Sequence, residues 1–555
     1  MPPIPLRIRA GARVLACLAL GFTLVPASAR ALTLPPGFVD EPLPFTFVYP
    51  TSVRFLPDGR PLITEKRGRL YMIDTDGTLR LLWSSEATVL DYADRGLIGL
   101  AVDPTFPTGR WIYLLHSVDP DSNGVDDSED NYGRLMRMQM NGNDRSLNTG
   151  SRQILFGTKW SDAPIDGSTS HSIGCLNFAR DGSLLVSVGD GAHFGYMDAG
   201  GNDPGLFGPG MGSPSEDIGA FRAHYKNTLD GKILRLDPNT GLGLPSNPFY
   251  DGNASSPQSK VYAYGLRNTF RFAIKPGTGS TTQSAGDAGT LYYGDVGWET
   301  WEEFGAIRVP GSDMGWPCFE GEHPQLQYQA ATPSHDGCAP ADPTPVMPLL
   351  TLNHNDASLS SVPGISGSCA VGGVFYSGTS YPPAYQGAYF IGDYVESWVK
   401  AMRVDSQDHL QTVLEFGTDF DNPVAFATNP VNNDLYIVSI TSGLIHRIRF
   451  TGGSVGTPPP AAAAQLELSE PRPNPSHGAA RFGLQVPKDG AVTFEVFDAQ
   501  GRLVWSAPPT RFAAGPAALS WPGFDRNGAA AGNGLYFARV RMDGGQVTRK
   551  FVMTR

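Results

Sequence analysis

The sequence predicts an all-β protein, a β-propeller followed by a small immunoglobulin-like β-sandwich. Three observations predict it. From about residue 40 to 450 one phrase recurs: an apolar run, a turn rich in Asp, Gly and Asn, then a second β run. The 555-residue chain carries 66 glycines and 47 prolines in an otherwise apolar text, which marks many short strands joined by turns. After Phe450 the composition changes, and a second β text fills residues 465–555.

Taken in order, residues 1–31 belong to no fold. Arg7, Arg9 and Arg13 lead into an apolar run over residues 14–25, and Ala27-Ser28-Ala29 or Ala29-Arg30-Ala31 offers a small-residue cleavage site. That is the pattern of a secretory signal peptide, and the run is too short to span a bilayer. No later segment reaches transmembrane length, so an exported protein, secreted, periplasmic or at the outer surface of a bacterial cell, is expected. Residues 32–450 hold phrases such as "SVRFLPDGRPLITEKRGRLYMID" (52–74), "LNFARDGSLLVSVGDG" (176–191) and "VAFATNPVNNDLYIVSITSGLIHRIRF" (424–450). Each reads as strand, tight turn, strand, with period-2 alternation. Helical periodicity is scarce. Radial repetition of such units leaves few exposed edges, as a propeller does, whereas a large sandwich needs fewer and longer loops. The units diverge too much for blades to be counted by period. "TGGSVGTPPPAAAA" (451–464) reads as a linker. Residues 465–555, with "ARFGLQV", "AVTFEVFDAQGRLVWSA" and "GLYFARVRMDGGQVTRKFVMTR", carry the short strands of a sandwich.

The net charge is −12 and no basic run follows residue 31, which excludes a phosphate-binding face and with it a nucleic-acid partner. Five cysteines are present, and Cys17 leaves with the signal. An even number in an exported protein favours disulfides. Cys318 and Cys338 flank a Pro- and His-containing loop and are expected to pair. That leaves Cys175 with Cys369, if their strands are neighbours.

Two segments carry chemistry. "DPDSNGVDDSED" (119–130) sets Asp119, Asp121 and Asn123 on alternate positions before Gly124. The Val125 carbonyl, Asp127 and Asp130 follow at the remaining ligand positions. Hard oxygens at this spacing, with a glycine for the sharp turn, predict a calcium loop, though Asp130 is shorter than the usual closing Glu. The plain alternative is a solvated acidic loop. The second segment is "SHSIGCLNFARDGSLLVSVGDG" (170–191), where His171 opens a hairpin that Asp190 closes. An imidazole whose tautomer is fixed by a carboxylate is a general base. Gly-Asp-Gly is also an ordinary turn, so the residues alone leave both readings open.

The same segment resembles the soluble glucose and sorbosone dehydrogenase family, six-bladed propellers that use pyrroloquinoline quinone (PQQ). "DRGLIGLAVDPTF" (94–106), "VYAYGLRNTFRFAI" (261–274), "LYYGDVGWETWEEFGAI" (291–307) and "GGVFYSGTSYPPAYQGAYFIGDY" (372–394) carry the resemblance across roughly 40–450. The family also includes Hedgehog-interacting relatives with no settled dehydrogenase role. The resemblance implies His171 as catalytic base, Asp190 as its partner, and Arg267 and Asn268 beside cofactor and substrate. It also implies a Ca²⁺ site made of the Gly297 and Trp298 carbonyls with the Glu303 carboxylate. "PNP" (473–475), "NGLYFARV" and the basic end resemble C-terminal domains used for type IX secretion, with a related fold in flagellar-hook scaffolding, which implies the secretion machinery as a partner.

The chain departs from the family at the cofactor clamp. "FIGDYVESW" (390–398) has no lysine before Lys400, and "DFDNPVAFA" (419–427) has no arginine, where the glucose enzymes hold the quinone's carboxylates. Asp94 stands where they present an amide. The first reading is therefore an exported, calcium-dependent sugar or polyol dehydrogenase using PQQ. The competing reading is a non-catalytic propeller binding glycans or proteins at the cell surface. A hydrolase has little support, because no paired carboxylates or nucleophile motif stands out.

Overall fold

A computed structural model describes residues 32–122, 131–201, 214–334, 337–338, 344–452 and, in the tail, 466–469, 471, 476, 480–512, 515–526, 528–542 and 545–554. The expected signal segment and most of the expected linker lie outside the described residues.

Six four-stranded antiparallel sheets form, five from strands that follow one another along the chain and the sixth with one strand from the N-terminal end. Their inner strands are Pro50–Phe55, Leu97–Val102, Ile173–Phe178, Arg271–Ile274, Ala370–Phe375 and Pro423–Thr428. Each inner strand touches the next, and the sixth returns to the first, so the sheets close into a six-bladed propeller. The residues explain the radial order. Second strands such as Leu184–Val188 are buried on both faces and are almost wholly apolar, with Ser187 the exception in this one. Outer strands such as Leu147–Phe156 are largely exposed and mostly polar.

The core lies between blades rather than within one. Leu62 and Leu70 of blade one pack with Leu100 and Ile112 of blade two, and Leu135 of blade two with Leu184 of blade three. Leu185 meets Leu291, Phe304 meets Tyr389, Phe390 meets Ile437, and Val438 meets Ile63 of the first blade. The ring is sealed by the N-terminal strand Phe38–Asp40, which pairs with Leu444–Phe450 in the register Phe38↔Phe450. The sixth blade thus takes strands from both ends of the domain, a pairing that no local pattern announces.

In the tail, Ala480–Val486 pairs with Gly515–Trp521 in one sheet. Gly490–Asp498, Gly534–Met542 and Gly545–Met553 lie in a second. Phe482 and Trp521 of the first sheet share a core with Phe494, Val540 and Phe551 of the second, which makes this unit a two-sheet sandwich. No helix among the described residues is long and apolar enough to cross a membrane.

Cys318 and Cys338 form the expected disulfide, with Cα atoms 5.6 Å apart. Cys175 and Cys369 do not pair, contrary to expectation, and both are free. Cys175 lies in the inner strand of blade three and Cys369 just before that of blade five. Blade four stands between them, so their strands are never neighbours.

Candidate functional site

In an antiparallel blade, the start of the inner strand and the end of the second strand lie at the same edge. Residues just before each inner strand and just after each second strand therefore gather around one mouth of the channel. His171 precedes Ile173–Phe178, and Asp190 follows Leu184–Val188. Arg267 and Asn268 precede Arg271–Ile274, while Gly297 and Trp298 follow Leu291–Asp295. The propeller closes residues more than a hundred positions apart into one site.

His171 Nδ1 lies 2.8 Å from Asp190 Oδ1, and both side chains are buried. The carboxylate also accepts the Ala192 N–H (2.9 Å) on Oδ1 and the Trp316 indole N–H (2.7 Å) on Oδ2. Burial works against its ionisation, but His171, Arg267 and the Ala192 N–H hold its pKa below the usual Asp range. Burial first, and the Arg267 charge second, push the His171 pKa below its ordinary value despite Asp190. The pair therefore rests as a neutral imidazole donating from Nδ1 to a carboxylate, with Nε2 left as the basic nitrogen. His171 adopts φ 59°, which is strained for a residue with a Cβ. Gly189 holds that turn: its N–H bonds the Ser172 carbonyl at 2.6 Å, and a Cβ there would sit 2.2 Å from the His171 oxygen.

Arg267 and Asn268 are fixed from beneath by Asp295. Its oxygens accept the Arg267 N–H (2.8 Å), the Asn268 N–H (2.7 Å) and the Thr269 hydroxyl (3.1 Å). Burial nonetheless raises the Asp295 pKa to about 6. The Arg267 guanidinium reaches the carbonyls of Val296 (3.0 Å) and Gly297 (2.6 Å), its carbon lies 5.3 Å from the Trp316 ring centre, and its Nε is buried with no hydrogen-bond partner.

Of the expected calcium ligands, the Gly297 carbonyl is thus engaged by Arg267, and Glu303 Oε1 accepts the Gly321 N–H (2.5 Å). Trp298 belongs to a turn whose four N–H groups, from Trp298 to Trp301, converge on Glu320 Oε1 at 2.8–3.0 Å. Among the described residues no three His, Cys, Asp or Glu side chains form a metal-holding group. A cation here would need main-chain carbonyls as well. The chemistry fits one: burial, with Asp295, Glu320 and Glu302 nearby, pushes the Glu303 pKa well above its usual value, a penalty that a hard cation would relieve. Of the acidic loop, Asn123, Val125, Asp127 and Asp130 lie outside the described residues. Asp119 is buried and accepts the Ser122 N–H at 3.1 Å, and Asp121 follows on the exposed side.

Beside the dyad opens a cavity of about 150 Å³, lined among others by Lys66, Asp94, Asn268, Cys369 and Tyr394. Asp94 is coupled to His171 through a hydrogen bond from the His171 backbone. Burial pushes the Asp94 pKa up, against the pull of His171, Lys66 and Arg267. Asp393, in the segment where a clamp lysine was sought, instead accepts the N–H groups of Ser368, Cys369, Val395 and Glu396 at 2.8–3.0 Å. It ties the blade-five loops together. Sequence reasoning missed Trp316, which only the closed ring brings to the dyad, and Lys66, which it brings to the cavity. Lys66 did carry a signal, as the first residue after a second strand.

The glucose/sorbosone dehydrogenase family model matches residues 47–439, more than half of the chain. The chain belongs to this family. It is 27% identical over 285 residues to HIPL1 protein of Arabidopsis thaliana, an alignment covering 48% of this chain and 35% of that protein. It thus spans about a third of that relative's length. It is 24% identical over 382 residues to an uncharacterized protein of Synechocystis, covering 66% of this chain and 77% of that one. Among solved structures, a glucose dehydrogenase superposes with TM-score 0.52 at 20% identity, over 75% of this chain and 100% of that one. The soluble aldose sugar dehydrogenase of Escherichia coli gives 0.51 at 19%, over 74% and 99%. These likenesses show that the six-bladed fold is shared.

Proposed function

We propose that this glucose/sorbosone dehydrogenase family member is an exported sugar or polyol dehydrogenase dependent on PQQ and Ca²⁺. The observation that carries the reading is the buried His171–Asp190 pair with Arg267 beside it. In this reading the substrate hydroxyl gives its proton to His171 Nε2, and Asp190 holds the ring in the productive tautomer and stabilises the imidazolium that forms. PQQ held beside Arg267 and Asn268 would supply the hydride acceptor for the carbon that bears this hydroxyl. Arg267 and Asn268 orient the reactants, and Arg267, with its unpartnered Nε, offers positive charge where negative charge develops. Glu303 and the carbonyls of Gly297 and Trp298 would hold the calcium, and the 119–130 loop a second ion. Trp316, which donates to Asp190, packs with Trp298 and Tyr328 at ring-centre distances of 5.2–6.2 Å.

Residues 1–31 would direct export, and 465–555 would act as a sorting or adhesion module that engages secretion machinery. The absence of cations in 390–398 and 419–427 favours a second reading, a non-catalytic propeller at the cell surface that binds glycans or proteins. Titration of purified protein with PQQ and Ca²⁺, followed by dye reduction across a panel of sugars, separates the two. Binding followed by sugar-dependent reduction supports the dehydrogenase, and absence of binding supports the binding module.

A further inference from the structure

We propose that Glu320 is the positioning residue of the candidate cation site: by gathering the N–H groups of the 298–301 turn, it aims the carbonyls of Gly297 and Trp298 at the ion. The inference rests on the calcium reading above. A planar trans peptide unit carries its N–H and its C=O on opposite sides. Among the described residues the cis bonds are Phe106–Pro107 and Trp316–Pro317, so the units joining Gly297 to Trp298 and Trp298 to Glu299 are trans. The Trp298 and Glu299 N–H groups donate to Glu320 Oε1 at 2.8 and 2.9 Å. The carbonyls that share those units are Gly297 and Trp298, the two main-chain ligands expected here, and both are therefore turned away from Glu320. The Gly297 carbonyl marks the direction, since it accepts an Arg267 N–H at 2.6 Å, and its second lone pair remains for a cation.

Glu320 is itself buried and held. Its Oε1 also accepts the Thr300 and Trp301 N–H groups at 2.9 and 3.0 Å, and its Oε2 accepts the Gln325 side-chain amide. The Gln325 N–H in turn bonds the carbonyl of Cys318, one end of the disulfide, at 2.9 Å. The turn closes tightly over the carboxylate. A Cβ at Gly297 would stand 1.8 Å from the Trp301 oxygen and 3.0 Å from Glu320 Oε1, so glycine is required there. An N–H bonded to an anion polarises its whole peptide unit, which makes the carbonyl at the other end a better ligand for a hard cation. The excursion 308–349 that supplies Glu320 also supplies Trp316. One segment thus braces both the base, through Asp190, and the cation ligands.

The test is calorimetric titration of the quinone-free protein with Ca²⁺, comparing wild type with Glu303→Gln, Glu320→Gln and Glu322→Gln. The binding event that disappears in Glu303→Gln belongs to this site and separates it from the 119–130 loop. Losing an outer-shell partner should weaken that event about ten- to a hundredfold in Glu320→Gln. Glu322→Gln removes an exposed charge nearby and should bind as wild type does. Amide hydrogen exchange at 298–301 should quicken in Glu320→Gln. Melting curves confirm folding. Gln325→Met, which removes only the brace on Oε2, should weaken binding less, and it carries the test should Glu320→Gln not fold. Unchanged Ca²⁺ affinity in Glu320→Gln, or in Gln325→Met where that variant carries the test, overturns the proposal and leaves the calcium reading standing. Weaker binding with unchanged exchange also overturns it, because the carboxylate would then act through its charge alone. If wild type shows no Ca²⁺ event that Glu303→Gln removes, the calcium reading fails and the proposal with it.

Discussion

The Trp316 indole N–H donates to Asp190 Oδ2 at 2.7 Å, so the carboxylate that orients His171 is itself fixed from another blade. Trp316 stands two residues before the Cys318–Cys338 disulfide loop, in the segment between the third and fourth strands of blade four. The base is therefore positioned by three layers: Gly189 under its backbone, Asp190 at its ring, and Trp316 behind Asp190.

Breaking the middle layer should cost most. His171→Ala is expected to abolish turnover, and Asp190→Asn to cut it about a hundred- to ten-thousand-fold, because the amide favours the wrong tautomer. Trp316→Phe removes only the outer donor and should lower kcat about ten- to hundredfold through misorientation. Steady-state kinetics beside far-UV circular dichroism checks this. Wild-type turnover in Asp190→Asn would remove the base assignment.

Gly189→Ala and Gly182→Ala form a matched pair on one hairpin. A Cβ at Gly189 meets the His171 backbone, whereas one at Gly182 meets nothing within 4 Å. The first should destabilise the fold by about 1–3 kcal/mol and collapse activity. The second, at φ 80°, should cost only the left-handed strain, about 1–2 kcal/mol, and leave kcat unchanged. Thermal melts and kinetics on both variants distinguish a strained site from general loss of stability.

The pH dependence has a definite sign. His171 works as the neutral base, and its pKa lies below the ordinary value of 6.5, so the acid limb of kcat/KM should fall below pH 6.5. Because the unfolded chain takes up this proton first, the stability linked to His171 is full above 6.5 and is lost as pH falls through the folded value. Asp190, also depressed, adds to the loss on the acid side. An NMR titration of the His171 ring gives the value directly, and one above 6.5 would contradict the account.

Removing residues 465–555 should leave the melting transition of 32–450 almost unchanged. The tail has its own core around Phe482, Trp521 and Phe551. Its Arg481 meets Asp356 of the propeller at 2.8 Å, and with Arg481 71% exposed such a pair contributes about 0–1 kcal/mol. A large drop in melting temperature would show that the two units share a core.

The architecture was legible where structure is local. Hairpins such as 173–188 and 423–439 form where alternation and turn chemistry place them, since those contacts lie within twenty residues. The count of six blades came from the family resemblance and not from periodicity, because blades three and four carry long excursions between strands, at 189–231 and 308–349, that break any period. The closing strand Phe38–Asp40 finds its partner only after the chain has gone round. The site divides in the same way. His171 and Asp190 share a hairpin and could be paired from the text. Trp316 reaches that pair from blade four, Lys66 reaches the neighbouring cavity from blade one, and the expected Cys175–Cys369 pairing fails because a blade separates them.

The measurement that tests the central claim most directly is titration of the protein with PQQ at saturating Ca²⁺, comparing wild type with His171→Ala. The account predicts saturable quinone binding of nearly equal affinity in both, with sugar-dependent dye reduction in wild type alone. No quinone binding to wild type would contradict it, making His171 a structural histidine of the channel and the protein a binding module.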